Sequence, residues 1–416
     1  MIDQAIRHWV FDRDFLHGRM SFICGPRQIG KTTLARSHLD REGQGRHYIN
    51  WDSLETRRRF ASDSQFFIRD LVPPATDSTS AGARPRPWIV FDEIHKYPKW
   101  KNLLKGYYDD WKTAVRIIVT GSARLDAFRR SGDSLVGRYF LFKMFPLHPN
   151  DLTGRIPDRS ASWDPGRDEA AFEETNREFA EASSGLLELS GFPEPFTAGT
   201  WDFYRRWQDN HLSLIIQEDV RDLTKIASLQ KLETLVFLLP ERVGSPLSLN
   251  NLKDILQCAH GSVRSWLSAL EKVFLVFHVS PFSGSLKRSV VKEKKYYFWD
   301  WGVHDDPGRR LENFVAVQLQ RAVAAWNEWG RGKFRLTYVR TRDGREADFL
   351  IVDRNRPRMI VECKAQDDSL SPSLAYIKDR LAVPFGVQVR SGAGPLRQID
   401  RNVYAAGLDR FLSLLP

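Results

Sequence analysis

The sequence predicts an α/β chain of several domains that opens on a parallel sheet, and three observations predict it. An apolar strand runs into a glycine-flanked loop and then a helix at Phe22-Ile23-Cys24-Gly25-Pro26-Arg27-Gln28-Ile29-Gly30-Lys31-Thr32-Thr33. Two further apolar runs, Trp88-Ile89-Val90-Phe91 and Ile117-Ile118-Val119, end in polar residues. Continuous runs of this kind suit parallel strands covered on both faces. Finally, the chain has 416 residues, of which 42% are apolar. That is too long for a single core, so two or three compact bodies are expected.

The first strand and its loop carry the strongest signal. The pattern G-x-x-x-x-G-K-[ST] is complete from Gly25 to Thr32. Glycines at both ends let the backbone curl until several N–H groups face a phosphate. The helix that follows adds its positive N-terminal end. Gly25, Pro26, Arg27, Gln28, Ile29, Gly30, Lys31, Thr32 and Thr33 are therefore the expected phosphate cradle. Lys31 is expected to reach the outer phosphates, and Thr32 to offer its hydroxyl to Mg2+.

The remaining elements of this region follow in order. Residues 1–20 read as a short amphipathic lead-in helix, and residues 46–51 as the second strand. Residues 72–87 are rich in Pro, Ser and Gly and read as a surface loop. The strand after it ends in Asp92-Glu93. Asp92 is expected to hold Mg2+, and Glu93 to polarise an attacking water. The fourth strand ends at Thr120-Gly121-Ser122, and Thr120 or Ser122 is expected near the γ-phosphate. Arg138, just before a fifth strand at Phe140-Leu141-Phe142, is a candidate for stabilising transition-state charge, within its own subunit or a neighbour's. Arg124, Arg129 and Arg130 compete for that role.

Together the segments GPRQIGKTTL, VFDEIHKYPKW, VTGSA and GRY, with Pro146-Leu147 shortly after, resemble the AAA-type ATPases inferred in bacteria and archaea. In that family a C-terminal domain of uncharacterised function resembles restriction endonucleases. The resemblance implies a RecA-like sheet with ATP and Mg2+ as cofactors. It assigns the nucleotide and catalytic roles to Lys31, Thr32, Asp92 and Glu93. The reading along the chain gives the expected domains: an ATPase domain over 1–150, a helical connector or lid over 151–229, a winged helix-turn-helix over 230–302 and a restriction-endonuclease-like α/β domain over 303–416.

The middle region reads as helix, helix, helix, hairpin. Residues 231–239 form the first helix, stopped by Pro240. Ser248 caps the second, which runs to Cys258. The third begins at Gly261-Ser262 and carries an apolar stripe through Val263, Trp266, Leu267 and Leu270, with Arg264, Ser265, Ser268 and Lys272 off it. A strand over 274–280, a turn at Ser283-Gly284-Ser285 and a return strand over 296–299 complete a winged helix-turn-helix outline. Its third helix suits a major groove. Lys287, Arg288, Lys292, Lys294 and Lys295 are candidate phosphate contacts from the wing. Such modules equally serve protein–protein contacts.

The last third holds a second constellation. A helix with a core face carries Glu312, a hairpin turning at Asp343-Gly344 carries Asp348, and a strand carries Glu362-Cys363-Lys364. Strand alternation puts Glu362 and Lys364 on one face and Cys363 on the other. Asp348 and Glu362 are expected to hold one Mg2+, with Glu312 completing the set and Lys364 stabilising charge on a phosphorane or helping to deprotonate water. This D…E-x-K order is that of the restriction-endonuclease-like superfamily.

Whole-chain properties narrow the partners. Lys and Arg exceed Asp and Glu by 62 − 52 = 10. That balance favours a polyanion, nucleic acid first and DNA in particular. A partner-borne arginine would also fit a homo-oligomer. No apolar run reaches bilayer length, and the first residues lack a signal-peptide layout, so no membrane partner is expected. Three scattered cysteines, Cys24, Cys258 and Cys363, fit a reducing cytoplasm. The readings left open are an Mg-dependent ATPase coupled to DNA binding or processing, with or without C-terminal cleavage, and a nucleotide-gated switch whose nuclease-like domain only binds. A small-molecule kinase fits less well, because tandem Asp92-Glu93 suits water activation.

Overall fold

The computed structural model describes residues 2, 4–71, 86–121, 135–157, 175–221, 228–283, 293–364 and 369–416. The chain forms two compact units, Ile6–Met144 on the one hand and Met1–Ala5 with Phe145–Pro416 on the other. The loop expected over 72–87 lies outside the described residues except at its end. So do Ser122, Arg124, Arg129, Arg130, Lys287, Arg288 and Lys292.

The smaller unit begins with two helical turns, Arg7–Val10 and Arg13–Leu16, in place of one lead-in helix. Asp12 explains the break. Its carboxylate accepts the N–H groups of Asp14 and Phe15, so it caps a new helix instead of continuing the old one. The unit's sheet comprises β1 (Met20–Cys24), β2 (Tyr48–Asn50), β3 (Trp88–Asp92), β4 (Arg116–Thr120) and β5 (Tyr139–Lys143). Its five strands run in the order β2-β3-β4-β1-β5, and every pairing is parallel. Gly45–His47 is a 3-10 turn, so the second strand is shorter than its sequence suggests. Every residue of β1 and β3 is buried, as their unbroken apolar runs demand.

The strand order matters for chemistry. β4 separates the strand that feeds the glycine loop from the strand that ends in Asp92. The order reverses at β1, and the crevice beyond the carboxyl ends of parallel strands at such a point is where ligands bind. Arg138 lies at the other edge. Met20 pairs with Tyr139, and Cys24 pairs with Lys143. Arg138 is thus at the amino ends of the strands, level with Arg19 and about 20 Å from Gly25 at the usual rise per residue. There its Nε and Nη2 donate to the Asp109 carboxylate at 2.9 and 3.0 Å. The expectation that Arg138 binds the nucleotide of its own subunit is corrected accordingly.

The larger unit packs helices against a single sheet. Helices Leu229–Leu238, Leu249–Ile255 and His260–Lys272 precede a hairpin of β6 (Val276–Pro281) and β7 (Lys295–Phe298). The long helix Pro307–Glu328 follows, capped by Asp306 and started by Pro307. Then come β8 (Phe334–Arg340), β9 (Glu346–Asp353), β10 (Arg356–Lys364), helix Pro372–Arg380, β11 (Phe385–Arg390), β12 (Arg397–Asp400), β13 (Val403–Gly407) and helix Leu408–Ser413. The strands form an eight-stranded sheet, β12-β13-β11-β10-β9-β8-β6-β7. The β6–β7 hairpin joins it through parallel pairs Ser280↔Thr337 and Pro281↔Tyr338. It is the edge of a large sheet. Leu350, Val352, Ile360, Leu374 and Ile377 share one core cluster under helix Pro372–Arg380.

A buried ion pair ties this unit together. The Arg321 guanidinium reaches both Asp151 oxygens, at 2.6 and 3.1 Å. The same carboxylate accepts the Ala5 N–H at 2.7 Å and the His148 N–H at 2.9 Å. Full hydrogen bonding of this kind is what makes a buried charge pair tolerable. Among the described residues no helix is long and apolar enough to cross a membrane.

Candidate functional site

The glycine loop sits between β1 and the helix Lys31–Arg41. Gly25 has φ +151°, and a Cβ there would lie 2.4 Å from the Met144 carbonyl oxygen. Only glycine permits that approach. Gly30 takes φ 98° at the helix N-cap, and Gln28 is also left-handed at φ 60°. Lys31 is buried, and its Nζ donates to the carbonyls of Gly25 and Pro26 at 3.1 and 2.6 Å. Its ammonium therefore curls back over its own loop. Thr32 and Thr33 are exposed at the start of the helix.

Asp92 is surrounded by hydroxyls. Thr32 Oγ1 donates to Oδ2 at 2.8 Å, Tyr48 Oη to the same oxygen at 2.5 Å, and Thr120 Oγ1 to Oδ1 at 2.5 Å. The strands deliver these groups directly, since β2 and β4 flank β3 and Asp92 pairs with Thr120. Tyr48 and its partner role were not legible from the sequence, where residues 46–51 read only as a strand. The Arg36 guanidinium covers the Tyr48 ring at 4.5 Å. Burial and the Asp92 carboxylate both raise the Tyr48 phenol above its ordinary pKa, so it stays a donor.

Glu93 follows in a left-handed conformation, φ 57°, which a non-glycine residue adopts rarely. Its N–H is held by the Thr120 carbonyl at 3.0 Å. Burial first, and the neighbouring Asp92 charge second, push its carboxyl up to about 7. His95 Nε2 stands 3.4 Å and Lys96 Nζ 3.8 Å from Glu93 Oε2. The arrangement brings a loop cation, a hydroxyl, a metal-type carboxylate and a base-type carboxylate to one crevice. Thr32 Oγ1 and Asp92 Oδ2 already share a proton across the place a divalent ion takes, so this donor set fits Mg2+.

The C-terminal constellation is built differently. Phe349 pairs with Val361, and the Tyr297 ring packs on Phe349 at 5.6 Å. Tyr297 Oη donates to Glu312 Oε1 at 2.8 Å, so Glu312 belongs to that face. Ile360 lies in the core under helix Pro372–Arg380, so Glu362 and Lys364 belong to the other face. There Ser371 Oγ donates to Glu362 Oε1 at 3.0 Å. Between β8 and β9 the register slips, Thr337↔Leu350 giving way to Val339↔Ala347. That bulge carries Asp348, whose Oδ2 accepts the Cys363 N–H at 2.9 Å.

Lys295 occupies the middle. It is fully buried, with Nζ 2.6 Å from Glu346 Oε1, 3.6 Å from Glu312 Oε1 and 3.8 Å from Asp348 Oδ1. The wing role expected for Lys295 is therefore corrected: its side chain points into the fold. Burial and neighbouring carboxylates raise Glu312 and Glu362 to about 7 each, and burial raises Asp348 as well. Among the described residues no group of three or more His, Cys, Asp or Glu could hold a metal ion. The expected ligand set of Glu312, Asp348 and Glu362 does not gather as a metal site among the described residues, and an ammonium, Lys295 Nζ, stands 3.6 Å from Glu312 and 3.8 Å from Asp348. In the sequence Lys295 is one of five wing cations, and Glu346, Tyr297 and Ser371 carry no signal of their own.

Comparison with known proteins follows this division. Residues 17–152 match the family described as an AAA domain. Residues 182–305 and 307–409 match two domains of unknown function, DUF8612 and DUF4143. The uncharacterized protein Rv2008c of Mycobacterium tuberculosis is 24% identical over 367 residues, covering 85% of this chain and 72% of its own. The uncharacterized protein MJ1637 of Methanocaldococcus jannaschii is 25% identical over 414 residues, covering 88% and 80%. Among solved structures, the Aeropyrum pernix Orc1 protein in complex with DNA aligns at 15% identity over 67% of this chain and 83% of that one. Its TM-score is 0.28, too low to carry an argument. The glycine loop, the Asp92 crevice and the matched family agree that the N-terminal region is a P-loop domain of AAA type.

Proposed function

We propose that the smaller unit binds and hydrolyses ATP with Mg2+, and that this cycle governs how the larger unit engages DNA. The observation that carries the reading is the convergence of Lys31, Thr32, Asp92 and Glu93 at the carboxyl ends of β1 and β3. The residues from Gly25 to Thr33 cradle the phosphates with backbone N–H groups. Lys31 leaves the Gly25 and Pro26 carbonyls to meet phosphate oxygens. Thr32 and Asp92 hold Mg2+, which when bound offsets charge on the phosphates. Glu93 takes the proton of the attacking water, and its raised pKa suits a base working near neutrality. Ser122 remains a candidate γ-phosphate contact by its position after β4, and Arg138 is left only a role toward a neighbouring subunit.

Two features favour DNA as partner. One is the excess of ten positive charges. The other is helix His260–Lys272, which buries Val263, Trp266, Leu267 and Leu270 while Arg264, Ser265 and Lys272 stay exposed. We read residues 230–302 as a winged helix-turn-helix whose hairpin is shared with the sheet, and 303–416 as a restriction-endonuclease-like domain. Residues 151–229 connect them to the ATPase domain of 1–150. The ammonium of Lys295 among its carboxylates favours a nuclease-like domain that binds without cutting, over one in which Asp348, Glu362 and Lys364 cleave.

Steady-state phosphate release tests this. Wild type should hydrolyse ATP, and Lys31→Ala should not. Single-stranded, duplex or branched DNA should stimulate the rate at low salt and less at high salt. Equal rates for wild type and Lys31→Ala would remove the loop from the mechanism. Stimulation by no nucleic acid would favour the nucleotide-gated switch.

A further inference from the structure

We propose that the ammonium of Lys295 is the resident cation of the C-terminal carboxylate cluster, standing where a divalent metal would otherwise be needed. The inference concerns the larger unit alone and does not depend on ATP binding elsewhere in the chain.

Geometry carries it. Lys295 is fully buried on β7, within 3.8 Å of Glu346, Glu312 and Asp348. A carboxylate group this crowded and this dry needs a positive charge at its centre. One ammonium is supplied by the chain itself, at the start of a strand fixed by antiparallel pairing with β6. Its position is not that of a mobile surface lysine. The Tyr338 ring lies under the same ammonium at 5.4 Å. Pro246 bridges to Lys295 on the other side, and the Leu247 N–H is held by the Lys294 carbonyl at 2.8 Å.

Each carboxylate is also held through one of its oxygens, although Glu362 Oε2 is buried without a hydrogen-bond partner. Tyr297 holds Glu312 by its phenol, and Gly244 closes over the same carboxylate: a Cβ there would lie 2.5 Å from Glu312 Oε2. Gly244 has φ +77°, a left-handed conformation that favours glycine. Cys363 holds Asp348 through its backbone N–H, and Ser371 holds Glu362. A divalent ion would have to displace the ammonium and compete with these donors. Metal ligation prefers open carboxylate lone pairs at about 2.0–2.6 Å from the ion.

The test is Mn2+ binding by the full-length, nucleotide-free protein. Asp92→Asn is carried in every sample to silence the phosphate-loop site. On this background the parent should bind no Mn2+ up to millimolar concentration in paramagnetic titration. Lys295→Met should acquire one site, and adding Asp348→Asn should remove it again. Thermal melts should agree, with Mn2+ raising the melting temperature of Lys295→Met and not that of the parent. Tight Mn2+ binding by the parent that Asp348→Asn abolishes would overturn the proposal. So would a folded Lys295→Met variant that takes up no Mn2+. If Lys295→Met does not fold alone, folding rescued by Mn2+ supports the proposal, and the comparison of the parent with Asp348→Asn can still overturn it.

Discussion

The two units each gather carboxylates around the position of a cation, and they fill that position differently. Around Asp92 the placeholders are neutral hydroxyls from Thr32, Tyr48 and Thr120. Around Glu312, Glu346 and Asp348 the placeholder is a fixed ammonium. A hydroxyl gives up its bond at a net cost of about 1 kcal/mol. A buried ammonium cannot leave without stranding several negative charges, at a cost of about 3–5 kcal/mol. One centre is arranged for exchange with an incoming ion, and the other is arranged to stay as it is. Lys31 belongs to the exchangeable kind, since the acceptors at 3.1 and 2.6 Å from its Nζ are neutral loop carbonyls.

The sharpest way to break this contrast is to remove each lysine and measure stability. Lys295→Met should lose about 3–5 kcal/mol in urea denaturation. Lys31→Met should lose less, about 1.5–3 kcal/mol, the scale of a hydrogen bond from a charged group. Equal losses would show that the two cations are held alike. Next in size is Glu93→Gln, which should cut ATP turnover about a hundredfold or more while nucleotide still binds, as read by fluorescent-nucleotide titration. Retained turnover would take Glu93 out of the proton transfer.

The pH dependence follows from the same carboxylate. Glu93 ionises near 7 in the fold, against an ordinary 4.5. As a base it works only when ionised, so turnover should fall up to tenfold per unit below about pH 7. For stability the sign is opposite. The folded unit binds the proton more tightly than the unfolded chain, so Glu93 favours folding fully below about pH 4.5 and loses that contribution as pH rises through 7. Activity should therefore climb across the interval in which nucleotide-free melts decline, and Glu93→Gln should flatten both trends. The smallest effect is expected from Tyr48→Phe. Deleting one hydroxyl that competes for Asp92 should lower the Mg2+ concentration needed for half-maximal turnover about fivefold, equivalent to about 1 kcal/mol. A rise would mean that Tyr48 supports the ion instead.

Local chemistry was readable where the chain itself sets the geometry. The loop from Gly25 to Thr32, the strand ending at Asp92 and the cap at Ser248 are each specified by neighbouring residues. What escaped depends on pairing between distant segments. Tyr48 meets Asp92 because β2 and β3 happen to be neighbours. Alternation placed Glu362 and Lys364 together and also suggested that Asp348 joins them. Asp348 does stand beside that strand, through the Cys363 N–H, but the bulge in β9 also brings it to Lys295, and a period of two cannot anticipate an inserted residue. The lysine read as an exposed wing contact lies inside because the hairpin continues a sheet. Which edge a hairpin extends is decided by the whole fold.

The Asp151 carboxylate has a topological consequence. It receives the Ala5 N–H and stands in the segment that resumes the larger unit at Phe145. The point where the chain departs and the point where it comes back are thus stitched by one side chain, clamped in turn by Arg321. In topological terms the stretch 6–144 leaves one compact unit and returns to it. Loss of the Asp151 carboxylate would therefore loosen both ends of that excursion at once.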